Sequence, residues 1–268
     1  MRNVDRNTVP FPTNLQRLQE EPEDYQTELN YIRAGGDAKG SIYGSEDVKD
    51  ALRTLYICKC YLCGKDVSSY FEIEHFLPWH ENYPERAYDW NNLHLSCKAC
   101  NTRKRKKKYK IMSATGGVQS INLLCPTVDD VNSKISYNNS TSEAINLNSG
   151  NYISQLTADF LNEPNCKSDR ISHLHTLQDT LLSREWYPSY HILRTINIQD
   201  MDAIDFTNED YDLAGNLSYR ITSSYLCQNA PFYMFMHAVF EDIFYLRKQI
   251  IYDFCRRWCQ LNGRPHPI

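Results

Sequence analysis

Residues 60–110 read CYLCGKDVSSYFEIEHFLPWHENYPERAYDWNNLHLSCKACNTRKRKKKYK, and this stretch decides how the rest of the chain is read. Two Cys-x-x-C pairs, Cys60/Cys63 and Cys97/Cys100, bracket the dipeptide Glu74-His75, and the second pair runs directly into Asn101 and a basic block. One such pair alone is equally a redox dithiol. Two pairs supply the four thiolates of a tetrahedral structural Zn²⁺. Gly64, just after the first pair, can adopt the positive φ that turns backbone N–H groups back toward sulfur. Cys58 has the wrong spacing to Cys63 for such a knuckle and is left out of the set.

The insert between the pairs is long enough to hold structure of its own. Phe71, Ile73 and Phe76 surround Glu72, Glu74 and His75, which predicts a short strand closed by Pro78. Successive side chains on a strand point to opposite faces, so one of Glu74 and His75 can hold a metal while the other faces a water beside a phosphate. Leu93–Leu95 predicts a second strand, entered through a turn at Trp90-Asn91-Asn92. After Cys97 the pattern turns helical, and Asn101, Arg105 and Lys108 fall at i, i+4 and i+7 on one face.

EHFLP, NNLHLSC and CNTRK resemble the HNH, or ββα-metal, nuclease motif in its zinc-stapled form. The resemblance implies a catalytic set of His75, Asn92 and Asn101. His75 matches the base that activates water, and Asn92 matches the middle Asn that orients the loop beside it. Glu74 and Asn101 match the protein ligands of a catalytic divalent metal. Many members carry Asp in place of Glu74 and His in place of Asn101; oxygen donors at both positions suit Mg²⁺ or Mn²⁺. A neutral imidazole near pH 7 suits a base, and a bound cation suits the charge that develops on a phosphodiester under attack. A Glu-His pair outside such a frame reads as a core histidine beside a solvated carboxylate.

The likeness extends beyond the motif. MRNVDRNTVP, EDVKDALRTLY and LLCPTVDDV resemble the HNH nuclease subunit of Septu-type bacterial anti-phage systems, which also occurs beside retrons. This implies an ABC-type ATPase as partner and, where a retron is linked, a reverse transcriptase with its RNA–DNA product. Composition and spacing by themselves show neither.

The formal net charge is −4, yet seven of the 29 Lys and Arg residues lie in Arg103–Lys110. An acidic body with one basic strip directs a polyanion to that strip, so Arg103, Lys104, Arg105, Lys106, Lys107 and Lys108 are candidate nucleic-acid contacts. The loop 80–89 offers Tyr83 and Tyr88 either for stacking on bases or for packing on the scaffold. His80 and His94 are candidates for metal support or phosphate contact, and Asp129-Asp130 for further metal ligands or a turn.

A hydrophobic content of 41% with 23% charge marks an ordinary globular protein, and 268 residues allow one large or two modest domains. The polar opening segment, without a signal peptide, leads us to expect a reducing cytoplasm, where the ten cysteines stay free or bind metal. Cys125, Cys166, Cys227, Cys255 and Cys259 are expected to be small buried residues, although Cys255 and Cys259 share a helix face and could bind metal. We expect an N-terminal arm and loop over 1–44, extended through residue 22. An HNH module with structural zinc follows over 45–112, opening on a helix capped by Ser45. A mainly helical domain with a possible partner-binding surface takes 113–268.

Within that domain the pattern predicts small strands at 133–137, 144–147 and 152–153, then a helix capped by Ser168 or Asp169. A long helix should run from Pro231 to about Cys259. Its wide apolar stripe is either core or a partner surface; Glu241, Asp242, Arg247 and Lys248 exclude a membrane span. The fold class is α+β, a zinc-stapled ββα module in a mainly helical protein. The expected function is hydrolysis of DNA with a divalent metal. The alternatives are the same site acting on RNA, such as transfer RNA, or a zinc-ribbon nucleic-acid-binding protein without catalysis. No Gly-rich phosphate loop is present, so ATP use belongs to another chain.

Overall fold

Pro12 and Pro22 start helices instead of extending the chain. In the computed structural model, which describes residues 1–80, 82–114 and 116–268, Pro12 caps α1 (Thr13–Glu20) and Pro22 is the first residue of α2 (Pro22–Arg33). Proline loses no intrahelical hydrogen bond there, and its fixed φ suits the first turn. The extended arm expected over 1–22 is thereby corrected: Leu15, Leu18, Leu29 and Ile32 turn inward on two helices. After the short α3 (Gly40–Tyr43), α4 (Glu46–Tyr56) buries Val48, Leu52, Leu55 and Tyr56. Ser45 stands at its N-cap, but the hydroxyl donates to the Ile42 carbonyl at 2.8 Å. Asp47 in the first turn accepts from the backbone and the side chain of Asn14, each at 2.8 Å, and so docks α1 onto α4.

β1 (Glu72–His75) pairs antiparallel with β2 (Leu93–Ser96), Glu74 opposite His94 and His75 opposite Leu93. Every residue of β2 is buried, and α5 (Lys98–Lys104) packs on β1. The basic run outlasts this helix. Arg105 caps α5, Lys106 is extended, and Lys107–Tyr109 form a separate 3-10 turn, so Lys108 does not continue the Asn101 face. β3 (Lys110–Met112) and β4 (Val118–Ile121) then form an antiparallel hairpin with a bulge between Ile111 and Met112.

Next come the two-stranded sheet of β5 (Ile135–Tyr137) and β6 (Ala144–Asn146), and α6 (Tyr152–Leu161). Residues 152–153, expected as a strand, begin that helix because the Asn151 side chain accepts from the Ser154 N–H at 3.0 Å. One compact unit comprises residues 1–135 and 146–160, the other 136–145 and 161–268. The boundary expected at 112/113 falls inside the first unit. There Leu123, Leu124 and Val131 are buried, and the Leu124 N–H donates to Thr157 at 2.9 Å.

In the second unit α7 (Pro164–Leu182) starts on Pro164, upstream of the expected cap at Ser168 or Asp169. α8 (Tyr187–Thr195) and α9 (Glu209–Ile221) follow, the latter running into a π-helical turn at Thr222–Leu226. The single C-terminal helix expected from Pro231 is two, α10 (Tyr233–Phe244) and α11 (Lys248–Leu261). Tyr245 breaks it with φ 54°, and the Glu241 carboxylate accepts from the Lys248 N–H at 2.8 Å. The break lets α11 pack on α9. The apolar stripe is core: Phe235, Met236, Val239, Phe240, Phe244, Ile250 and Phe254 are buried. Among the described residues no helix is long and apolar enough to cross a membrane.

Candidate active site

The sulfurs of Cys60, Cys63, Cys97 and Cys100 all lie within 4.8 Å of one another, Cys63 and Cys97 at 3.9 Å. Thiolates about 2.3 Å from one tetrahedral Zn²⁺ sit roughly 3.8 Å apart, so the set fits a structural zinc. Burial opposes ionisation of Cys60, but the sulfurs of Cys100, Cys63 and Cys97 draw its pKa well below that of a free thiol. Gly64 has the expected positive φ, 78°, although its N–H reaches the Cys60 carbonyl and not a sulfur. The Tyr61 N–H donates to the Leu95 carbonyl at 2.9 Å, which fastens the first knuckle to β2. Cys97 caps α5, its sulfur accepting from the Cys100 N–H at 3.4 Å. Among the described residues no other His, Cys, Asp or Glu cluster has such geometry, Cys255 and Cys259 included.

The two faces of β1 do different work. Glu72 and Glu74, two residues apart on the strand, meet Asn101 and Lys104, three apart on α5. These steps, roughly 6.7 Å and 4.5 Å, are close enough for long side chains to bridge. Lys104 is 2% exposed and donates to the Glu74 carboxylate at 2.6 Å and to the carbonyls of His75 and Phe76 at 2.8 and 2.7 Å. Burial pushes the Glu74 pKa up and the Lys104 pKa down; the pairing opposes both shifts. Lys104 is therefore not a surface phosphate contact. Arg103 is not one either, being buried over the Phe160 ring. Asn101 donates to Glu72 at 2.8 Å, and its buried Oδ1 meets no protein donor. That orphaned oxygen and the carboxylates of Glu72 and Glu74 make a hard donor set, which fits Mg²⁺ or Mn²⁺. Glu72 is a ligand candidate that the motif alone does not single out, although Glu-x-Glu on a strand facing Asn-x-x-Lys on a helix is the signal that points to it.

His75 lies on the opposite face. Its Nε2 is 3.0 Å from the Ala87 carbonyl, which can only accept, so Nε2 carries the proton and Nδ1 is a bare acceptor. Burial pulls the His75 pKa down to about 4; the Ala87 carbonyl opposes this and Lys104 adds to it. The Tyr43 ring edge rests against the imidazole, centroids 4.8 Å apart. Asn92 accepts from the Leu77 N–H at 2.7 Å and donates to the carbonyls of Leu77 and Arg86, both at 2.8 Å, closing the loop that carries Ala87. Glu74, His75, Trp79, Lys104, Arg105 and Lys110 line one cleft of about 360 Å³.

The other candidates resolve into structure. His94 is fully buried, hydrogen-bonded to the Tyr56 hydroxyl at 2.6 Å and stacked on Tyr61, which makes it a core histidine. His80 accepts from the Val118 N–H at 3.1 Å. Arg86 lies over the Tyr83 ring and donates to the carbonyls of Val118 and Gln119 at 2.7 and 3.1 Å, fixing the loop to β4. Tyr88 is wholly buried and inaccessible to bases, and Glu81 of the same loop lies outside the described residues. Asp129 accepts from the Cys125 N–H and pairs with Lys134 at 2.7 Å, and Asp130 accepts from Asn3, so both are turn carboxylates. Arg105, Lys106, Lys107 and Lys108 are exposed.

A strand carrying Glu-His, a second strand, and a helix starting on the second cysteine pair make a ββα module, and residues 60–107 match the HNH endonuclease family. The chain carries an HNH endonuclease domain, of a metal-dependent nuclease family. Over 81 residues it is 38% identical to the Septu protein PtuB of Bacillus thuringiensis, covering 28% of this chain and 31% of that protein. The Septu protein PtuB of Bacillus mycoides (strain KBAB4) is likewise 38% identical over 81 residues, covering 25% and 27%. The chain thus spans less than a third of the length of these curated relatives.

Proposed function

We propose that the chain is a divalent-metal-dependent endonuclease that hydrolyses phosphodiester bonds of DNA. Its setting would be a bacterial anti-phage complex with an ABC-type ATPase, in the cytoplasm. The observation that carries the catalytic reading is His75, a neutral histidine whose Nε2–H is held by the Ala87 carbonyl and which lines a cleft with Glu74 and Arg105.

In this reading Nδ1 of His75 takes the proton of the attacking water, and the Ala87 carbonyl steadies the imidazolium that forms. Asn92 keeps that carbonyl in place through the loop it closes. Glu74 and Asn101, with Glu72 beside them, would hold the divalent cation. When bound, it supplies positive charge for the phosphate under attack and for the leaving oxygen. Arg105 adds a fixed positive charge at the cleft, and Lys106, Lys107 and Lys108 contact neighbouring phosphates without reading bases. The defence setting and the ATPase rest on the likeness to Septu proteins. A retron reverse transcriptase with its RNA–DNA product belongs to the same reading where such a locus is linked.

The test is to purify the chain with and without the co-encoded ATPase and incubate each with plasmid DNA and total RNA in Mg²⁺, Mn²⁺ or EDTA. His75→Ala should slow cleavage by about 10²–10⁴-fold with fold and zinc content intact. Near-wild-type turnover in that variant would overturn the base assignment. Cleaved RNA beside intact plasmid would move the substrate to RNA, and binding without cleavage in every metal would leave a zinc-ribbon binding protein.

A further inference from the structure

We infer that Tyr88 is a positioning residue for His75, anchored by Glu28, Lys39 and Gln19 from a segment that lies outside the HNH match. The inference rests on the reading of His75 as the base. A carbonyl fixes a histidine tautomer only if its own peptide is fixed, and the Ala87 carbonyl belongs to the peptide that joins Ala87 to Tyr88. On the Ala87 side, Asn92 holds the preceding carbonyl of Arg86.

On the other side the Tyr88 ring is 0% exposed, and its hydroxyl accepts from the Lys39 N–H at 2.8 Å and donates to Glu28 at 3.2 Å. Burial keeps that phenol protonated, its pKa pushed up to about 12. The second Glu28 oxygen pairs with the Lys39 ammonium, which locks the acceptor. Gln19 donates to the Tyr88 carbonyl at 3.2 Å. These three partners stand 49, 60 and 69 residues from Tyr88 in the chain, yet converge on one residue beside the carbonyl that holds the base. Tyr43 of the same segment touches the imidazole directly. The N-terminal segment thus contributes one wall of the seat of His75 and anchors the residue beside its carbonyl partner.

The experiment compares the full chain with Tyr88→Phe, Glu28→Gln and Gln19→Ala, reading both turnover and the ¹⁵N signals of the His75 ring. Tyr88→Phe should lower kcat about tenfold with KM for DNA unchanged, since the phosphate contacts lie elsewhere. The ring signals should move from a single Nε2-protonated tautomer to a mixture. Glu28→Gln, which keeps an oxygen acceptor for the phenol, should retain the rate within about twofold. Should Tyr88→Phe not fold, Gln19→Ala, on the exposed side of α1, should give a smaller kcat loss with the same change in the ring signals. A folded Tyr88→Phe or Gln19→Ala with rate and tautomer unchanged would overturn the inference. So would a lowered melting temperature with the tautomer intact, which is what a merely structural tyrosine would give. The ring signals need no cleavage, so an inactive wild-type chain would defeat the proposed function while leaving this readout standing.

Discussion

Both compact units bury an apolar core, but the first adds to it a dense set of buried directed bonds that the second largely lacks. The first buries Glu28, Glu74, Asn92, His94, Asn101, Arg103 and Lys104 beside four cysteines, most of them at named hydrogen-bond or ion-pair distances. The second is organised on Phe235, Met236, Val239, Phe240, Phe244, Ile250 and Phe254. Arg170 is its one fully buried charge among the described residues, held by the carbonyls of Leu161 and Ser142. Directed bonds demand particular residue types at fixed spacing. Apolar burial demands only a face, and tolerates shifts of register and volume.

The largest test of this contrast is the zinc. Cys63→Ser, or removal of the metal by a chelator, should cost the first unit on the order of 10 kcal/mol of apparent folding energy. Hydrogen exchange should rise across residues 58–110 while 161–268 stays protected, and elemental analysis should find one zinc fewer per chain. Equal loss of protection in both stretches would break the comparison. Next in size is the apolar core of the second unit. Phe240→Ala should destabilise it by about 3–5 kcal/mol, read as a lower urea midpoint, with zinc content unaffected. A cost near zero would mean that the stripe is not the organising core.

Acid should then act on three histidines that their surroundings hold neutral, His94 buried and His75 and His173 half-buried. Burial lowers His75 and His173 to about 4 and takes His94 well below 6.5. The unfolded chain binds these protons first, so the stabilisation is complete above about pH 6.5 and is lost as pH falls toward 4. For His75 alone the shift corresponds to about 3 kcal/mol. A urea midpoint that stayed flat from pH 7 to 4.5 would show that these rings are not held neutral. The smallest effect concerns the surface. Replacing Lys106, Lys107 and Lys108 with Ala should leave stability unchanged and flatten the salt dependence of DNA binding by about 0.9 for each phosphate no longer neutralised. A changed sequence preference with the salt slope intact would mean that these residues read bases.

The same contrast explains what could be read from the sequence. The cysteine knuckles, both strands of the motif, Asn92 and the Glu74-His75 pair were legible because each serves a bond with fixed geometry. Lys104 was not: a lysine within a run of cations looks like surface, and only the strand facing it shows that it is buried. The N-terminal helices were hidden by prolines that mark helix starts as readily as extended chain. The break at Tyr245 was hidden because the apolar stripe continues across it, so that periodicity alone sees one helix. The anchors of Tyr88 are scattered over residues 19–39, and no local pattern links them to a motif that begins at residue 60.

Lys104 has one more consequence. Its ammonium offers three N–H groups in a tetrahedral fan, and three acceptors meet them: the Glu74 carboxylate and the carbonyls of His75 and Phe76. A planar guanidinium cannot reproduce that fan in the same space, whereas the side chains from 105 to 108 are exposed and have room for either cation. Arginine for lysine should thus be better tolerated at 106, 107 or 108 than at 104. Descendants of this gene should therefore keep two clocks within a single run of positive residues, one stopped at position 104 and one running freely a turn further on.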